Sequence, residues 1–209
     1  MKKTDKQAAL AELAKLYPDA KPALIYSTPY ELLVAVILSA QCTDERVNKV
    51  TAVLFEKYST PQAMVTLSQS ELERYIFSCG FYRMKAEHIL SASRDILDKF
   101  NGEVPDAIES LMSLAGVGKK TANVVYSVAF GGAAIAVDTH VFRVSNRLGL
   151  AKGKTPEEVE KGLNKDIPKE DWAKAHHWLI YHGRRVCHSR KPSCEECTLF
   201  PLCDFAKKK

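Results

Sequence analysis

"LMSLAGVGKKTANVV", Leu111 to Val125, sets two glycines two positions apart, then two adjacent lysines, then the beginning of an apolar run. A nucleotide-binding phosphate loop reads G-x-x-x-x-G-K-[ST], and this stretch departs from it twice. Ser113 stands where the first glycine belongs, and Lys119 is followed by Lys120 rather than Ser or Thr. The segment ahead of the glycines, "PDAIESLMSL", has Pro105 at a helix start and spaces Ile108, Leu111, Met112 and Leu114 at helical intervals. A helix therefore enters the turn where a phosphate loop needs a strand. What remains is helix, G-V-G hairpin, helix. Gly116 and Gly118 allow positive φ and close approach of another backbone, and the amides opening the next helix form a seat for a phosphate oxygen. Taken alone, the pattern also fits a plain interhelical turn with solvated charges.

The rest of the chain supplies helices on both sides. "STPYELLVAVILSA" offers Thr28 as N-cap, Pro29 at the first helical position and Glu31 three residues after the cap, a capping box running into an apolar segment. "KTPEEVEKGL" repeats the grammar from Thr155. Gly80 closes "SELERYIFSCG", and Asn101-Gly102 closes "KAEHILSASRDILDKFNG". No segment sustains a period of two with hairpin turns, although "AAIAV" (133–137) is short and apolar enough to be extended. The reading is an all-α protein of nine or ten helices without repeats or long linkers. At 209 residues the chain suits one compact unit or two small lobes. The apolar run "LLVAVILSA" is about half of the roughly 20 residues that span a bilayer, so it reads as a buried helix. The amphipathic N-terminus lacks the apolar core of an export signal. The expectation is a cytoplasmic protein with no membrane association.

A net charge of +5 permits nucleic-acid binding without demanding it. The charge is uneven: "HGRRVCHSRKP" carries four basic residues and no acid, which fits either solubility or a phosphate-facing loop. Four of the six cysteines, Cys187, Cys194, Cys197 and Cys203, crowd into the same region with the spacing C-x6-C-x2-C-x5-C. Such a cluster in an unexported chain points to metal or redox chemistry rather than disulfides. Zinc ribbons use two C-x2-C knuckles and this chain has one, so the spacing leaves zinc and an iron–sulfur cluster both open. Cys42 and Cys79 read as small buried hydrophobes.

"LAGVGKKTANVV" followed by "AVDTHVFRV" resembles the helix-hairpin-helix DNA glycosylases, and the similarity runs from "ILSAQCTDERVNKV" near residue 40 to the last cysteines. Ala115 replaces the proline usual in that family's Leu-Pro-Gly-Val-Gly turn. The resemblance implies a two-lobed, all-α fold, with a six-helix lobe over 23–131 and an iron–sulfur lobe made of 1–22 plus 132–209. It implies a monomer acting on double-stranded DNA that contains a damaged pyrimidine or abasic site. It also implies that Lys120, directly before Thr-Ala-Asn, is the nucleophile and that Asp138 is its acid–base and electrostatic partner, the two facing the substrate from opposite lobes. Lys119, about 100° away on a helix, falls to a phosphate-side role with Gly116 and Gly118. The amine must be unprotonated to attack, and a helix N-terminus with partial burial favours that form. Asp138 is equally placed to be an ordinary N-cap.

By the same resemblance, Gln41 fills the gap left by an extruded nucleotide and Phe81, where the family commonly has leucine, wedges against the opposite strand. The four late cysteines would hold one 4Fe-4S cluster that fixes a basic loop, with Arg190 and Lys191, against phosphates. The implied activity is removal of oxidised pyrimidines followed by abasic-site strand cleavage. The family's adenine-mismatch branch keeps the aspartate and cluster but lacks the lysine. A non-catalytic DNA-binding module stapled by a metal is the alternative from another class.

Overall fold

The computed structural model describes residues 1–208. Eleven α-helices occur among them: α1 Lys3–Leu16, α2 Pro29–Ser39, α3 Asp44–Phe55, α4 Pro61–Met64, α5 Gln69–Ile76, α6 Tyr82–Lys99, α7 Ile108–Met112, α8 Lys119–Ala129, α9 Thr139–Leu148, α10 Pro156–Asp166 and α11 Trp172–Arg185. The count exceeds the expected nine or ten because α4 and α7 are single short turns of four and five residues. No strand forms among the described residues, and no helix is long and apolar enough to cross a membrane. The chain divides into two compact units, Pro22–Gly132 and Met1–Lys21 with Ala133–Lys209.

The unit Pro22–Gly132 is built around α2, in which every residue from Tyr30 to Leu38 is buried. A helix apolar on all sides needs neighbours all round, and α3, α6 and α8 supply them. Thr28 caps α2 as the sequence predicts, accepting the Glu31 amide at 3.2 Å. The Glu31 carboxylate reaches past the cap to the Ser27 amide at 2.6 Å, so the box closes one residue early. Leu33, Leu38, Leu54, Leu72, Ile89 and Leu111 are among the side chains that complete this core. α7 begins at Ile108, three residues beyond Pro105, because its N-cap is Ala107 in extended conformation.

In the other unit the chain ends come together. α1 packs on α11, burying Ala9 and Leu13 with Val141, Val144, Leu148, Leu163 and Leu179. Lys6 pairs with Asp166 at 2.6 Å, and the Met1 amine pairs with Asp204 at 3.2 Å. Lys152 and then the chain's own amino terminus hold the Asp204 carboxyl below the usual range, with burial opposing them. A depressed carboxyl stabilises the fold above its unfolded pKa and loses that contribution as pH falls through its folded value. Asp204→Asn is expected to remove no more than about 1 kcal/mol at pH 7 and progressively less as pH falls below the ordinary carboxyl range, read from urea melts at a series of pH values. The 133–137 segment forms no ladder; Ile135 and Val137 are buried in this core, and the Ala136 carbonyl meets His176 Nδ1 at 2.7 Å.

Candidate active site and cysteine loop

The G-V-G turn joins α7 to α8. Gly116 takes φ +74°, and a Cβ there would lie 2.8 Å from His88 Nδ1 and 2.9 Å from His88 Cβ. Two independent demands therefore fix a glycine at this position. Gly118 differs from the expectation. Its φ is −83° and a Cβ would meet nothing within 4 Å, so the chain itself does not require a glycine there. It is the N-cap of α8 and brings no capping side chain. Gly116→Ala is expected to destabilise the protein by more than about 1 kcal/mol. Gly118→Ala should stay within about 0.5 kcal/mol of the parent while weakening DNA binding, a contrast that thermal melts and fluorescence anisotropy would check.

Lys119 and Lys120 are the first two residues of α8, and both are exposed. The partial burial expected for Lys120 is not found: the residue is exposed, although Asn123 and Ser127, three and seven positions on along the same helix face, are buried. Asp138 is the N-cap of α9. Its Oδ1 accepts both the His140 and Val141 amides at 2.8 Å. The capping role is therefore real and occupies one oxygen, while Oδ2 makes no hydrogen bond among the described residues. The half-buried carboxylate thus keeps one oxygen for other chemistry.

Gln41 and Phe81 share an unusual backbone. Their φ values are +53° and +46°, a left-handed conformation that costs a non-glycine residue of order 1 kcal/mol. Both are exposed, Phe81 by 60%, and Phe77 and Met84 beside it are exposed as well. An apolar tip presented by a strained turn is suited to entering something outside the protein.

Cys187, Cys194, Cys197 and Cys203 line one small pocket together with Leu148, His182, Pro192, Phe200 and Phe205. Burial raises the Cys197 thiol; the Leu199 amide opposes this, and the other three thiols add to it, so all four share one electrostatic neighbourhood. Among the described residues no three His, Cys, Asp or Glu side chains converge tightly enough for a single ion. Four thiols lining one pocket are a donor set whose chemistry fits an iron–sulfur cluster.

Two arginines that sequence reasoning passed over hold this loop. Arg143 Nε donates to the Cys187 carbonyl at 3.0 Å, and Arg147 donates to the His188 and Ser189 carbonyls at 2.6 and 3.0 Å. Arg147 also stacks on Phe205 and places Nη1 3.6 Å from Cys187 Sγ. Their i, i+4 spacing on α9 put them on one face, which was the available signal. Buried His182, with its pKa lowered by burial to about 4, is neutral; Nδ1 meets Tyr17 Oη at 3.0 Å and Nε2 meets Cys197 Sγ at 3.7 Å. The loop so held exposes Arg190 and Lys191, the latter at φ +49°.

A hairpin that leads into a helix opened by two exposed lysines, and a cysteine loop braced from the helix that Asp138 caps, fit a protein that binds nucleic acid. The model for the HhH-GPD superfamily base excision DNA repair protein matches residues 34–169, and the chain belongs to that superfamily. Within it the similarity is to endonuclease III. The chain is 49% identical to endonuclease III of Haemophilus influenzae over 208 residues, covering 100% of this chain and 99% of that one. It is 53% identical to endonuclease III of Synechocystis over 196 residues, covering 93% and 90%. The fold superposes with a TM-score of 0.95 and 52% identity on a trapped endonuclease III–DNA covalent intermediate, an estranged-adenine complex, covering 100% of this chain and 98% of that one.

Proposed function

We propose that this protein is a bifunctional base-excision-repair enzyme, a DNA glycosylase for oxidised pyrimidines in duplex DNA that also cleaves at the abasic site. The observation that carries the reading is full-length similarity to a protein trapped covalently on DNA, with a lysine at the exposed opening of α8. A trapped covalent intermediate needs a nucleophile, and Lys120 supplies an amine.

The Lys120 amine attacks C1′ of the damaged nucleotide. The C1′–N bond breaks, the base leaves with the bonding electrons and takes up a proton, and the sugar ring opens to a Schiff base on Nζ. Loss of the C2′ proton then expels the 3′ phosphate by β-elimination and cuts the strand. Asp138 Oδ2, the oxygen not used as a cap, stabilises positive charge as the glycosidic bond loosens and moves protons in these steps. The N-terminus of α8 with Gly116, Gly118 and Lys119 grips the phosphate backbone. Gln41 enters the vacated stack, and Phe81 wedges the opposite strand. The lysine favours this reading over an adenine-mismatch enzyme or a non-catalytic DNA-binding module.

Cys187, Cys194, Cys197 and Cys203 would hold one 4Fe-4S cluster, whose contribution when bound is structural and electrostatic. Arg143 and Arg147 order the loop that then offers Arg190 and Lys191 to phosphates. Cys197→Ser is expected to lower iron content and visible absorbance per chain by at least about half, measured by metal analysis and spectroscopy. The reading also makes the protein a monomer working on nucleoid DNA in the bacterial cytoplasm. The test of function is incubation with duplex DNA carrying one oxidised pyrimidine: release of free base with a nick at that site supports it, and release without a nick, or neither, contradicts it.

A further inference from the structure

Lys85 is only 3% exposed, though it stands in the first turn of α6. Its ammonium donates to three backbone carbonyls, Leu38 at 2.8 Å, Ala40 at 2.7 Å and Cys79 at 2.8 Å. Three donors meet three acceptors, which uses the whole capacity of the group. No carboxylate pairs with it among the described residues. A buried cation of this kind needs compensation, and the C-terminal carbonyls of α2, which carry the negative end of that helix's dipole, provide it. Burial lowers the Lys85 pKa, an effect that the nearby Cys79 and Cys42 thiols oppose.

The carbonyls it gathers identify its purpose. Ala40 immediately precedes Gln41, and Cys79 is separated from Phe81 only by Gly80. Gln41 and Phe81 hold the left-handed conformations already described, and Gly80 also has positive φ, +65°. Two strained turns from separate parts of the sequence thus end on one ammonium. Strain of this kind persists only where the surroundings enforce it.

We propose that Lys85 is a positioning residue for strand insertion: by tying the backbones ahead of Gln41 and Phe81 to one point, it keeps both turns in the shape that enters the duplex. The clamp itself rests on geometry alone, and its purpose rests on the proposed reading of Gln41 and Phe81 as insertion residues. Lys85 touches neither substrate nor reacting atoms. An abasic site in a duplex must be extruded and its gap filled, whereas one in a single strand needs no insertion.

The test is single-turnover cleavage of an abasic site in duplex and in single-stranded DNA, comparing the duplex-to-single-strand rate ratio. In Lys85→Met the ratio is expected to fall about tenfold to a hundredfold, with Gln41→Ala lowering it in the same direction. A merely structural lysine would lower both rates together and leave the ratio unchanged, which would overturn the proposal. Should Lys85→Met not fold, the ratio is read in Lys85→Arg, whose planar fork keeps the charge but cannot cap three convergent carbonyls. A fall there supports the clamp, and an unchanged ratio rejects it. Wild-type protein that cleaves neither substrate would defeat the proposed function, and this inference with it. Wild-type cleavage with an unmoved ratio defeats the inference alone.

Discussion

Lys120→Gln is expected to lower the yield of borohydride-trapped adduct with abasic-site duplex DNA by at least about a thousandfold, because the other amine at the opening of α8, Lys119, points about 100° away. The neighbouring Lys119→Gln should keep the adduct. Its effect belongs to binding: with one phosphate contact removed, affinity falls across all sequences and the slope of log affinity against log salt decreases by about one. Adjacent residues on a helix diverge by about 100°, so the two lysines cannot exchange roles without moving the helix. The pair of variants therefore separates nucleophile from phosphate contact at consecutive positions. Both side chains are exposed and each lies in the first turn of α8, so neither replacement should disturb the fold. Circular-dichroism melts within about 1 °C of the parent would show this.

The second large effect is expected at Asp138, where two substitutions divide two roles. Asp138→Asn keeps an oxygen to accept the His140 and Val141 amides but removes the charge. Asparagine and aspartate cap helices about equally well, so stability should change by less than about 0.5 kcal/mol. Base release and strand cleavage should nonetheless fall by about 10²- to 10⁴-fold. Asp138→Ala should show the same catalytic loss and in addition cost about 1 kcal/mol, a melting-temperature drop of a few degrees. Single-turnover kinetics and melts on the two proteins check both halves. Equal activity of Asp138→Asn and parent would leave Asp138 as a cap and nothing more.

Where the decisive interactions are local, the residues announced them. Thr28 and Thr155 cap their helices through amides three residues on, and each is followed by proline. The positive φ of Gly116 follows from its place in the hairpin, and the closeness of Cys194 to Cys197 follows from their spacing. Interactions between distant segments were not legible. "YRMKAEHIL" gives no sign that Lys85 is buried, since a lysine in a first helical turn ordinarily faces water; only the meeting of α6 with the ends of α2 and of the Phe77–Cys79 turn encloses it. Arg143 and Arg147 likewise pass for surface charges of α9 until the loop 41 to 44 residues further on folds against them. The burial expected of Lys120 failed for the same reason, because exposure depends on packing that a lone helix pattern does not contain. Gly118 is the instructive reverse: the motif asks for glycine, while the surroundings of the chain leave room for a side chain. That space matters only if something outside the protein approaches.

In the proposed reaction the Lys120 amine bonds to the sugar of the damaged nucleotide. Borohydride reduction of the wild-type protein with abasic-site duplex DNA, followed by proteolysis and mass spectrometry of the adducted peptide, locates that bond directly. A sugar remnant is expected on Lys120 and none on Lys119. An adduct on any other residue, or no adduct from protein that binds the DNA, would contradict it.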